Sequence, residues 1–150
     1  MYSAVDLAKY IINKCVKDEV PISNIQLQMI LYCIQKEFLK RDALSFGNSI
    51  EAWQFGPVIP NVYYEFCGFG SMPISVCFCN AAELSSADSN GIDSIIEGKR
   101  LLEPWELKND ICCSKSAWAK VFNNGMGNRT EIQIDAIKEE ISKEKHKNKQ

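Results

Sequence analysis

The chain of 150 residues holds one histidine, His146, and it stands in a lysine-rich stretch near the C-terminal end. With no histidine in the body of the fold, Ser-His and Cys-His nucleophile pairs are excluded. Carboxylates remain for acid–base work, since Glu51, Glu65, Glu103 and Glu106 could meet in space. Their plainer reading is solvated surface or helix-start charge, and it is the one adopted. The seven cysteines are Cys15, Cys33, Cys67, Cys77, Cys79, Cys112 and Cys113, odd in number and without a CxxC pair. A zinc site needs about four ligands at compact spacing, which Cys77-Phe78-Cys79 with Cys112-Cys113 does not supply. Buried or idle thiols are therefore expected, with no disulfide framework, metal or cofactor. Gly68-Phe69-Gly70 and Asn124-Gly125-Met126-Gly127-Asn128 lack the Lys-Ser/Thr end of a phosphate loop and read as helix stops and turns. No catalytic set emerges.

Chemistry of another kind is concentrated in EAWQFGPVIPNVYYEF, residues 51–66. It packs five aromatic residues, two prolines and a glycine into sixteen positions. Trp and Tyr carry much of the binding energy at protein interfaces, because they bury large area at low entropy cost. Any one of these rings, Trp53 above all, has a plain role as core filling. The stretch as a whole, with aromatics on both sides of a Gly-Pro corner, reads as a shaped surface with some rings exposed.

The elements that must position this corner can be read from spacing. Ser3 and Asp6 open a first helix with an apolar stripe of Leu7, Ala8, Ile11, Ile12, Cys15 and Val16. Ser23 and Gln26 form a capping box for a second, and Ile22 is placed to staple onto Leu27. Leu27, Ile30, Leu31, Ile34 and Phe38 put that helix along the core. Residues 42–49 read as a loop, and 50–55 as a short strand stopped by Gly56-Pro57. Pro60 suits the first turn of a helix closed by Gly68 and Gly70. Residues 72–79 are a second strand candidate and 81–90 a polar loop or helix start. Short helices follow at Pro104 and Ser116, and a last helix covers 130–142. The expected fold is mainly α with some β (α+β), a single compact helical domain over residues 1–142 with a small two- or three-stranded β element. Residues 143–150 are expected to be a charged, frayed tail.

Composition sets the broad class. At 46% hydrophobic and 24% charged, the chain is that of a globular domain burying roughly 70% of its unfolded surface. A formal charge of −2 argues against binding nucleic acid by phosphate neutralisation, and the five lysines between Lys138 and Lys149 are interleaved with Glu139, Glu140 and Glu144. No apolar run is long enough for a membrane span and no leader pattern opens the chain, so a cytoplasmic protein is expected.

Two segments together, PISNIQLQMILYCIQKEFL and IEAWQFGPVIPNVYYEF, resemble the Panacea antitoxin domain family, the SocA-like, phage-associated group. Leu27, Gln28, Leu31 and Tyr32 match its helical Leu-Gln motif. Ala52, Trp53, Gly56, Pro57, Val58, Pro60 and Tyr63 match its Ala-Trp-x-x-Gly-Pro-Val-x-Pro motif, and the Trp118 segment also fits. Met29 stands where similar sequences have a basic or polar residue, and Cys112-Cys113 where many carry a histidine. The resemblance implies an antitoxin that neutralises a cognate toxin encoded nearby, by direct protein–protein contact. It implies as alternatives an adaptor that delivers the toxin to a AAA+ protease, or a phage or prophage protein that inhibits a host factor. Under it, Trp53, Phe55, Gly56, Pro57, Tyr63 and Tyr64 are the expected binding set. Leu27, Gln28, Leu31, Tyr32, Val58, Pro60 and Trp118 are expected to be structural.

Overall fold

The computed structural model describes residues 1–148 and is organised around one helix, α2 (Asn24–Leu39). Eleven of its sixteen residues are buried, including Gln28, Met29 and Gln35 outside the expected apolar face. A helix apolar nearly all round belongs inside a fold rather than against one side of it. Accordingly α2 touches α1 (Ala4–Lys17), α3 (Pro60–Glu65), α4 (Ser86–Lys99), α5 (Pro104–Ile111), α7 (Ile134–Asn148) and strand β2 (Gly56–Val58). Its start is the capping box expected from sequence: the Gln26 N–H donates to Ser23 Oγ and the Ser23 N–H to Gln26 Oε1. A short helix α6 (Ala117–Phe122), capped by Ser116, completes the seven α-helices among the described residues. The architecture is a single compact, mainly helical domain with one small antiparallel sheet.

That sheet has the order β2-β1-β3, with β1 at Glu51–Trp53 and β3 at Thr130–Glu131. Gly56-Pro57 does not simply stop the first strand, as the sequence suggested. Gly56, at φ +132°, folds the chain back so that Trp53 pairs with Gly56, Ala52 with Pro57 and Glu51 with Val58. Pro57 is tolerated because β2 is an edge strand. The alternation of Ile132 and Ile134 explains the irregular start of the last helix. Thr130 and Glu131 are strand, Ile132 donates its N–H to Ile50 O at 2.7 Å, and α7 begins only at Ile134. Gly127 makes the preceding turn possible, since a Cβ there would lie 1.8 Å from the Val121 carbonyl oxygen.

Two further expectations are corrected. Residues 72–79 form no strand; they run extended across α1 as a strap. Asn13 clasps Phe78 with both ends of its amide, donating to the Phe78 carbonyl at 2.8 Å and accepting its N–H at 2.7 Å. The N–H groups of Ile74 and Ala82 reach Ile22 O and Asp6 O. With these N–H groups satisfied by the Asn13 side chain and by the Ile22 and Asp6 carbonyls, the segment needs no strand partner. The polar stretch 81–90 divides at Ser85, which caps the full helix α4. The last helix runs on through residues 143–148, which were expected to be a frayed tail, and residues 149 and 150 lie outside the described residues.

Buried Gln35 holds the loop after α2. Its amide nitrogen donates to Phe46 O at 2.8 Å, and its oxygen accepts from the Ser45 N–H at 2.8 Å and the Ser45 hydroxyl at 2.6 Å. Gln35→Ala is expected to lower stability by about 2–3 kcal/mol, because it strands buried polar groups. A urea melt checks this, with the midpoint falling at constant slope. A loss below about 0.5 kcal/mol, the range of ordinary surface changes, would show that the loop is held by other means.

Candidate protein-binding site

The aromatic corner is built on Gln28. Its amide oxygen accepts the Ile59 N–H at 2.9 Å, where β2 hands over to α3. Its amide nitrogen donates to Asn24 Oδ1, and Asn24 in turn donates to the Tyr63 carbonyl at 3.1 Å. All three polar links lie within or against the core, so the path from Gly56 to Tyr63 is fixed to α2 by directional bonds. Pro60 occupies the first turn of α3, as expected, and supplies a preset φ without wasting an N–H.

Trp53 sits beneath this corner. It is only 8% exposed, and its indole N–H donates to Glu51 Oε1 at 2.9 Å. Its carbonyl accepts the indole N–H of Trp118 at 2.8 Å, which ties the hairpin to α6. Tyr63 meets the Trp53 ring edge-on at 4.9 Å, and Tyr64 is 6.1 Å from it and 5.5 Å from Tyr63. The Arg129 guanidinium lies over the Trp53 ring, 4.4 Å from its centre, with Nη1 3.5 Å from the Tyr64 hydroxyl. Such cation–π placement contributes about 0.5–1 kcal/mol where partly solvated.

The six residues of the expected binding set thus share one corner but divide in exposure. Trp53, Gly56 and Pro57 are buried and Tyr63 is half-buried, whereas Phe55 is 60% exposed and Tyr64 55% exposed. Phe55 stands at the tip of the hairpin turn. Of the residues expected to be structural, Leu27, Gln28, Leu31, Tyr32, Val58 and Trp118 are all buried, and Pro60 is half-buried. Two residues at the site escaped the sequence reading. Arg129 reaches it from a distant turn, and Trp105, 64% exposed on α5, lies across a trough from Phe55. An exposed Trp behind Pro104 in a first helical turn was the available signal for the second; no local signal marks the first.

Cys112 also borders the corner, 3.6 Å from where a Cβ on Gly56 would lie. Burial pushes its thiol up to about 12, so it stays protonated at neutral pH. A cavity of about 200 Å³ beside α2, lined by Tyr32, Lys36, Lys40 and Lys99 among others, is charge-compensated. Lys36 meets Glu140 and Glu144 at 2.6 and 2.8 Å, Lys40 meets Glu37 at 2.9 Å, and Lys99 meets Asp110 at 3.9 Å. Among the described residues, each of these three lysines has a carboxylate within 4 Å.

The site is thus an aromatic corner fixed to the central helix of a small helical domain. Part of the chain is similar to Antitoxin SocA of Caulobacter vibrioides (strain NA1000 / CB15N), 38% identical over 65 residues. The match covers 43% of this chain and 35% of that relative, about a third of its length. No family model and no solved structure matches the chain. Among the described residues, no helix is long and apolar enough to cross a membrane.

Buried Trp53 and exposed Phe55 are expected to separate cleanly on mutation. Trp53→Ala should destabilise by about 3–5 kcal/mol, as other buried aromatic truncations do. Phe55→Ala should stay within about 0.5 kcal/mol of the parent. Thermal melts followed by circular dichroism check both values. A Trp53→Ala protein as stable as the parent would show that the corner does not rest on that ring.

Proposed function

We propose that this chain is an antitoxin that neutralises a cognate toxin by direct protein–protein contact, with no catalysis of its own. The observation that carries the reading is the aromatic corner, in which Phe55 and Tyr64 face solvent on a backbone fixed by Gln28 and Asn24. Exposed rings normally lose entropy when a partner immobilises them; here the backbone beneath them is already ordered. The partial similarity to Antitoxin SocA supports the same reading, as does the resemblance of the Leu-Gln and Trp-x-x-Gly-Pro motifs to the Panacea family. The binding set proposed is Trp53, Phe55, Gly56, Pro57, Tyr63 and Tyr64. Phe55 and Tyr64 make contact, Tyr63 flanks them, and the other three shape the corner.

Co-expression with the product of the adjacent gene tests this. Growth rescue and a complex that survives purification are the expected result. Phe55→Ala combined with Tyr64→Ala should weaken the complex by about 2 kcal/mol or more, the range of an interface hot spot, while the fold persists. Rescue without a complex, dependent on a cellular AAA+ protease, would replace direct masking with the adaptor reading. A folded double variant that binds and rescues like the parent would remove the corner from the interface.

A further inference from the structure

Between the hairpin and α5, α2 carries a trough that the aromatic corner alone does not account for. Its floor is Ile25 and Met29, one helical turn apart, with the hairpin tip on one side and the first turn of α5 on the other. Two adjoining cavities open into it and share Ile25, Met29 and Phe55. One, of about 190 Å³, extends under Trp53, Tyr63 and Arg129. The other, of about 210 Å³, extends to Pro104, Trp105 and Lys108. Each is below about 300 Å³, the lower end for small-molecule sites, and suits a single large side chain better than a cofactor.

Charge gives the trough a sign. The charged residues lining the two cavities are Arg129 and Lys108, both cationic, and no carboxylate lines either. Among the described residues neither cation forms a salt bridge, in a chain of net charge −2. Lys108 Nζ donates to the Gln54 carbonyl at 3.2 Å, and Arg129 lies over Trp53. Two nearby carboxylates are already engaged, Glu106 by the Glu103 N–H at 2.7 Å and Glu51 by the Trp53 indole. An apolar floor between two cations without acidic partners complements a ligand that is apolar and acidic together.

We propose that this trough takes an acidic, apolar segment of a partner protein. Two large side chains of the segment enter the adjoining cavities, and its carboxylates meet Lys108 and Arg129. The proposal rests on the protein-binding reading above and names the chemistry of what is bound. It also assigns Trp105 and Lys108 of α5 to the interface, residues that lie outside the aromatic motif.

The test selects a random dodecapeptide phage-display library on the full chain, with Trp105→Ala as the counter-selection protein. Enriched peptides are expected to pair Phe, Leu, Ile or Trp with Asp or Glu, and to bind the parent at least tenfold more tightly than Trp105→Ala. The charge-reversed variant Lys108→Glu/Arg129→Glu, confirmed as folded by circular dichroism, should lose that acidic preference. Lys108→Glu alone, which leaves Arg129 on Trp53, should weaken acidic peptides at least threefold and serves where the double variant unfolds. Enrichment without acidic residues, equal binding to Trp105→Ala, or no enrichment at all would overturn the assignment. A concentration-dependent dimer abolished by Trp105→Ala would overturn it in favour of a second copy of this chain. Acidic peptides selected by a protein that fails to bind the adjacent gene product would leave the trough standing and sink the proposed antitoxin pairing. The reverse pattern would sink the trough alone.

Discussion

Two glutamines, Gln28 and Gln35, stand seven residues apart inside the most buried helix of the protein, and the rest of the structure depends on what they hold. Each amide offers a donor and an acceptor at a depth where water is excluded. Gln35 satisfies the backbone of Ser45 and Phe46, and Gln28 satisfies Ile59 and, through Asn24, Tyr63. The loop at Ser45-Phe46 and the junction of β2 with α3 at Ile59 are irregular, and irregular backbone enters a core only when its N–H and C=O groups find partners. Leu or Met at either position would fill the same space and leave those groups stranded. The helix therefore acts as core and as template: its aliphatic residues bury area, and its two amides dictate where flanking loops cross it.

Seen this way, the Leu-Gln motif of α2 and the Gly-Pro motif of the hairpin are the two halves of one hydrogen bond. Gly56 turns the chain with φ +132°, Pro57 and Pro60 stiffen it on either side, and Ile59 between them delivers its N–H to Gln28. Rings mounted on such a backbone have little conformational freedom left to lose. Affinity at an interface depends on that preorganisation as much as on area. The corner can thus present Phe55 and Tyr64 to solvent while Trp53 and Trp118 lock the turn from below, through the indole of one and the carbonyl of the other.

Helices with strong caps were legible from sequence, because capping is local. Ser23 with Gln26, Ser116, and Pro104 with its neighbours each mark a helix start within a few residues, and the structure has helices at all three. The division of the aromatic stretch into buried and exposed rings was only partly legible. Alternation along β1 would put Trp53 and Phe55 on one face; the two-residue turn frees Phe55 from it and tips it into solvent. The strap over 72–79 could not be read, because its β-rich composition is answered by Asn13, sixty-five residues earlier in the case of Phe78. Thr130 and Glu131 looked helical until Glu51 and Ala52 claimed them as strand. In both cases a partner distant in sequence overrode the local pattern.

Arg129 shows how far such a partner can reach. It adopts φ +67°, a left-handed conformation that Asn and Gly tolerate and that a long side chain without a local hydrogen bond does not favour. Strain of this kind persists only where surrounding contacts fix it. Here the Arg129 N–H donates to Ala52 O at 2.7 Å, just before β3 pairs with β1, and the guanidinium lies over Trp53. Gly127, pressed on the Val121 carbonyl, leaves the chain no gentler route into that strand. One residue consequently joins three tasks: it sets the approach of β3, shields a face of the buried tryptophan, and leaves a cation at the mouth of the trough. A lysine could carry the charge but not the flat guanidinium face that stacks on the indole. The conformational cost of the turn is thereby offset by contacts at the surface where a partner would bind, so the position that strains the backbone is the same one that gives the corner its charge.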